Sequence, residues 1–122
     1  MVAILIVEDD LDLAETYADL LQAHQHSVVM ATTVSAALKL IEAAKPAIII
    51  LDLNLPDNSG FAIIKHVHKN APNEIRLIII SGHSEMARQA DLATSSDLVL
   101  NKPVSNDQLL TLINRISAHS RS

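Results

Sequence analysis

The chain has 122 residues, 49% of them apolar, and a formal net charge of -5, which suits one domain over 1–122 around a single core and leaves no room for two. Its Lys and Arg residues are scattered, which excludes the basic footprint of a direct nucleic-acid binder, and zero cysteines exclude a disulfide framework and thiolate metal sites. No apolar run approaches the ~20 residues that cross a bilayer and the start turns acidic at Glu8, so the expectation is a soluble, cytoplasmic protein with no membrane partner.

In chain order, the first apolar run, 3–7, reads as a strand and ends at Glu8, Asp9 and Asp10. A helical stripe of Leu13, Tyr17, Leu20 and Leu21 follows, then a strand over 27–31, then a helix marked by Val34, Leu38 and Ile41. The strand at 47–51 delivers Asp52, and a helix carrying Ile63, Ile64 and Val67 leads to a strand at 76–80, after which come Ser81 and Gly82. Segment 85–93 has helical spacing but a thin packing face, made of Met86, Ala87, Ala90 and Leu92. A last strand at 97–100 precedes Lys102 and Pro103, and the final helix presents Leu109, Leu112, Ile113 and Ile116 before a polar, frayed end at 119–122.

Three of the strands are apolar almost without alternation, as strands buried on both faces of a parallel sheet must be. Pro46, Pro56, Pro72 and Pro103 all fall between elements. The repeated strand and helix units therefore predict an α/β fold with helices on both faces of a parallel sheet.

In such sheets ligands bind beyond the carboxyl ends of the strands. Two buried strands deliver carboxylates there, Glu8, Asp9 and Asp10 from one and Asp52 from the other. Crowded carboxylates repel one another unless a cation neutralises them, and hard oxygen ligands in octahedral geometry favour Mg²⁺. Asp10 is equally well read as the cap of the first helix. Ser81 and Lys102 add a hydroxyl and a cation to the same edge, and the set suits phosphoryl transfer: Asp52 as nucleophile, Asp9 holding Mg²⁺, Lys102 and Ser81 on phosphoryl oxygens.

The motifs Ile-Leu-Ile-Val-Glu8-Asp9-Asp10, Leu51-Asp52-Leu53-Asn54-Leu55-Pro56 with Gly60, Ser81-Gly82 and Lys102-Pro103 occur in order along nearly the whole chain. With them the chain resembles the receiver domain of two-component response regulators. The resemblance implies a flavodoxin-like, doubly wound (βα)5 fold with strand order 2-1-3-4-5. It implies that Asp52 accepts phosphate from a histidine kinase, a histidine phosphotransfer protein or a small phosphodonor. Glu8, through water, and the backbone carbonyl of Asn54 would complete the Mg²⁺ ligands. Such a chain is not an enzyme on other substrates; it catalyses only its own phosphorylation and dephosphorylation, then switches a partner or output domain. Homodimerisation is left open.

Two positions depart from the family pattern. Val99 stands where an aromatic side chain commonly follows the inward movement of the Ser or Thr at position 81, and Val104 stands where Phe is frequent. The acceptor chemistry depends on neither, so the expectation is intact phosphorylation with an unusual output route. His83 and Asn54 lie, by family geometry, near the path of a hydrolytic water, although a solvated loop histidine explains His83 equally well. His66 and His68 fall on different faces of one helix, and His24 and His26 have no further ligand type nearby, so none is assigned a role.

Two rival functions use the same residues. A pseudo-receiver would be a constitutive interaction module, against which the intact acids and Lys102 speak. A Mg²⁺-dependent phosphatase would need a second acid where Asn54 stands and a cap over the substrate, and no insertion is long enough to form one.

Overall fold

The computed structural model describes residues 2–53, 60–70, 74–81 and 98–120. Within them five strands alternate with helices: β1 (Ala3–Val7), α1 (Leu11–Ala23), β2 (Ser27–Ala31), α2 (Val34–Ala44), β3 (Ile48–Asp52), α3 (Gly60–Asn70), β4 (Arg76–Ser81), β5 (Leu98–Asn101) and α4 (Asn106–Ser120). All the strand pairings are parallel, in the order β2-β1-β3-β4-β5. This is the expected flavodoxin-like order. The helix expected at 85–93, with His83, Gly82 and Asn54, lies outside the described residues.

Side chains alternate across a strand, so residue parity sorts the core into two layers. Leu5, Val7, Ile49, Leu51, Leu77 and Ile79 face α2 and α3. Ile4, Ile6, Ile48, Ile50, Ile78 and Ile80 face α1 and α4. The central strands are buried on both sides, hence their unbroken aliphatic sequence. Each such side chain contributes roughly 1.5–3 kcal/mol by leaving water.

The helices dock partly through different residues than their largest ones suggested. In α1 the buried positions are Ala14, Tyr17, Ala18 and Leu21, whereas Leu13 and Leu20 are only half-buried. In α2 Ala37 is buried and Leu38 half-buried. Alanines on the sheet side let the helix approach the flat aliphatic surface closely, and the leucines then flank the contact. The α3 stripe of Ile63, Ile64 and Val67 is buried as expected. In α4 Leu109, Ile113 and Ile116 are buried, Leu112 is half-buried, and the helix runs on to Ser120, through two of the residues expected to fray.

Local signals fix the ends. Asp10 caps α1 by accepting from Leu13 N at 3.3 Å, and Thr33 caps α2 by accepting from Ala36 N at 3.1 Å. Ser105 does the same for α4, accepting from Gln108 N at 3.0 Å. Gly60 opens α3 directly against Leu53: a Cβ there would lie 3.3 Å from Leu53 Cα. A side chain at that position would crowd the chain after β3, which would have to shift by a few tenths of an ångström.

Candidate phosphoryl-acceptor site

The strand ends differ from expectation by one residue, with consequences for the site. β3 is Ile48–Asp52 and not 47–51, and Asp52 pairs with Ile80 in the parallel ladder. The next amide, Leu53 N, donates to Ile80 O at 3.1 Å. Asp52 is thus a strand residue held by backbone hydrogen bonds, not a loop residue beyond the sheet. β4 likewise includes Ser81, whose backbone pairs with Asn101 of β5. The Ser81 side chain and Asn54 lie outside what is described.

Glu8 leaves β1 with its amide donating to Ala31 O at 3.0 Å. Its Oε2 accepts from Asp10 N at 3.1 Å, so the side chain folds back over the first turn of α1. Glu8 and Asp52 are both only 3% exposed, whereas Asp9 is exposed. Glu8, Asp9 and Asp52 each offer a carboxylate oxygen within 4.8 Å of the others. Asp10, the fourth acid, is spent on the helix cap.

Lys102 reaches this cluster from the turn after β5, where its peptide bond to Pro103 is cis. Its Nζ donates to Asp52 Oδ2 at 2.9 Å. Burial works against the lysine charge, but the hydrogen bond and the negative charge of Asp52, aided by Glu8, outweigh it and raise the Lys102 pKa. Among the described residues, one cation thus faces three carboxylates. The imbalance falls on Glu8, pushed up to about 8 by burial, by hydrogen bonds with the side chains of Asp52 and Asp9, and by the charge on Asp52, against a smaller lowering from the Asp10 amide.

One residue of this region was not singled out by the sequence. Tyr17, read only as part of an apolar stripe, is buried on α1 with a pKa raised by burial and then by the charge of Glu8. Its position on α1 places its phenol under the influence of the acidic pocket. Val99 is half-buried against the α2 and α3 layer and takes up an aliphatic packing role. Elsewhere, His66 Nε2 lies 3.5 Å from Glu42 Oε1, between α3 and α2 and apart from the acidic cluster. His26, assigned no role, is buried.

Three carboxylate groups with mutually close oxygens form a donor set of the hard, anionic kind that a small divalent cation prefers. Burial and hydrogen bonds to Asp52 and Asp9 raise the Glu8 pKa, so the carboxylates of this set hold a proton that a bound cation would displace. The residues therefore fit Mg²⁺. A carboxylate fixed at a strand end, beside a lysine and an acid pair suited to a metal, can attack a phosphoryl group.

Comparison with known proteins agrees with the geometry. Residues 4–114 match the response regulator receiver domain family. The chain is 31% identical over 117 residues to the sensory transduction protein RegX3 of Mycobacterium tuberculosis, covering 95% of this chain and 51% of that protein. It is 30% identical over 111 residues to the transcriptional regulatory protein YxdJ of Bacillus subtilis, covering 90% of this chain and 48% of that protein. The chain spans about half the length of these relatives. A CheY-like response regulator receiver domain from Methanospirillum hungatei superposes with a TM-score of 0.88 at 26% identity, over 98% of this chain and 95% of that one. Among the described residues, no helix is long and apolar enough to cross a membrane.

Proposed function

We propose, on the premise that the chain belongs to the response regulator receiver domain family, that Asp52 is the phospho-acceptor of a two-component signalling pathway. The observation that carries this reading is the 2.9 Å contact of Lys102 Nζ with the buried Asp52 carboxylate, beside Glu8 and Asp9. In the reaction, a carboxylate oxygen of Asp52 attacks phosphorus in line, an O–P bond forms, and the bond from phosphorus to the donor nitrogen or oxygen breaks. Lys102 exchanges its contact with Asp52 for one with a phosphoryl oxygen, and Ser81 hydrogen-bonds another. Asp9, Asp52 and the Asn54 carbonyl would hold Mg²⁺, with Glu8 reaching it through water, and the ion when bound would supply positive charge to the acceptor and the phosphoryl group.

The donor is a histidine kinase, a histidine phosphotransfer protein or a small phosphodonor, and the chain acts as one receiver domain, 1–122, in the cytoplasm. The phosphorylated form controls a partner or output domain. Two relatives whose printed names are those of a transcriptional regulator and a sensory transduction protein support a regulatory output. With Val99 packed as an aliphatic core side chain, the output route does not run through an aromatic rotamer change at that position.

Intact-mass analysis after incubation with acetyl phosphate tests the reading. One adduct that requires Mg²⁺ and disappears in Asp52→Asn is the expected result. No adduct under any condition would instead favour a constitutive interaction module.

A further inference from the structure

At the edge of the sheet opposite Asp52, His26 occupies the turn between α1 and β2 and is only 7% exposed. Its Nδ1 accepts the Val2 amide at 3.2 Å, which fixes the start of β1. Its own amide donates to Leu21 O at 3.1 Å, closing α1, and the following amide, Ser27 N, donates to Val2 O at 3.0 Å. The imidazole thus ties Val2, just before β1, to the turn whose backbone amides bond the end of α1 and Val2 O. Gln25, just before it, holds a left-handed φ of 71°, a conformation unusual for a side chain other than glycine, asparagine or aspartate. The ring is thus delivered into the fold by a turn that local preference does not favour.

An Nδ1 that accepts a backbone N–H must be unprotonated. Nε2 is buried and makes no hydrogen bond of good geometry. Burial first, then the charge of the amino terminus and His24, oppose a positive charge on the ring, and Asn114 of α4 offsets this only in part. Among the described residues, no carboxylate is one of the groups that act on it.

We propose that His26 is an acid-released staple: its neutral ring ties the start of β1 to the α1–β2 turn beneath α4, and its protonation releases that edge of the sheet. The added proton occupies the Nδ1 lone pair that the Val2 amide uses, so the hydrogen bond and the charged ring cannot coexist. Because the fold favours the neutral ring, its contribution is complete above the ordinary histidine value of about 6.5 and is lost as pH falls through the lower value held in the fold. Asp52 chemistry has no part in this device, and the test reads the opposite edge.

Amide exchange at Ser27 and His26, corrected for intrinsic rates, is measured by NMR between about pH 8 and about pH 5 together with the His26 ring shifts. In the wild type, local opening should rise by up to about tenfold per pH unit on the acid side, tracking the ring titration, as uptake of one proton requires. Exchange at Arg76 N, bonded to Ala47 O on the same edge, should stay constant. His26→Gln, whose amide oxygen accepts from Val2 N without titrating, should keep the staple and flatten the profile. The proposal is overturned by a ring that titrates without change at Ser27, or by an unaltered profile in His26→Gln. Should that variant not fold, the wild-type correlation between ring and amides decides alone.

Discussion

The two edges of the sheet handle buried titratable groups in opposite ways. At the amino-terminal edge, His26 is neutral and its one used nitrogen is bonded to backbone. At the carboxyl-terminal edge, among the described residues, three carboxylates share one lysine, and burial with hydrogen bonds to Asp52 and Asp9 raises the pKa of Glu8. This second edge gathers more carboxylates than cations among the described residues, which suits it to a small divalent cation, while the other edge is a joint.

The sharpest way to break this contrast is at Asp52. Replacement by Asn keeps the shape of the strand end and removes the nucleophile, so modification by acetyl phosphate should vanish entirely in mass spectrometry. Retained modification would mean that another acid carries the chemistry.

Next in size is the shared core beneath both edges. Ile50→Ala, in the layer facing α1 and α4, should lower unfolding stability by about 2–5 kcal/mol in denaturant titrations. If the loss stayed well under about 1 kcal/mol, the two-layer description of the core would need revision.

The charge deficit predicts a pH dependence. Glu8 is protonated in the metal-free fold up to about 8 and ionises near its ordinary value of 4.5 when unfolded. Its contribution to stability is then complete below 4.5 and is lost as pH rises through 8. Thermal melts of metal-free protein should therefore weaken between these limits, by at most about 1.4 kcal/mol per pH unit. Glu8→Gln should flatten that slope, and millimolar Mg²⁺ should reduce it. An unchanged slope in Glu8→Gln would remove Glu8 as its origin.

The smallest expected effect separates the adjacent acids. Asp10→Ala removes a helix cap and should cost about 1 kcal/mol in stability while leaving phosphorylation intact. Asp9→Asn should do the reverse, weakening Mg²⁺ binding measured by titration with little change in the melt. Equal effects from both would erase the assignment of Asp10 as a cap.

Much of this was legible in the sequence because the signals are physical and local. Unbroken aliphatic runs marked the central strands, and the acids and Lys102 stood where such strands end. The sequence did not reveal that Asp52 lies within the strand, since ladder pairing with Ile80 is a tertiary fact. Nor did it rank Glu8 above Asp9 in burial: a run of three acids carries no label for which folds inward. Helix faces were misjudged at Leu13 and Leu20 because size was weighed above closeness of approach, which favours Ala14 and Ala18. His26 was passed over as a loop histidine, yet it shares the parity of Val28, which packs on the α1 and α4 side. Period-two reading extended into the turn would have found it.

The most direct test of the central claim is to identify the modified atom. The protein is phosphorylated with acetyl phosphate and Mg²⁺, the acyl phosphate is reduced with borohydride, and the peptides are sequenced by mass spectrometry. The account predicts reduction at Asp52 alone, with Glu8, Asp9 and Asp10 untouched. A reduced residue at any of those three, with Asp52 unchanged, would contradict it.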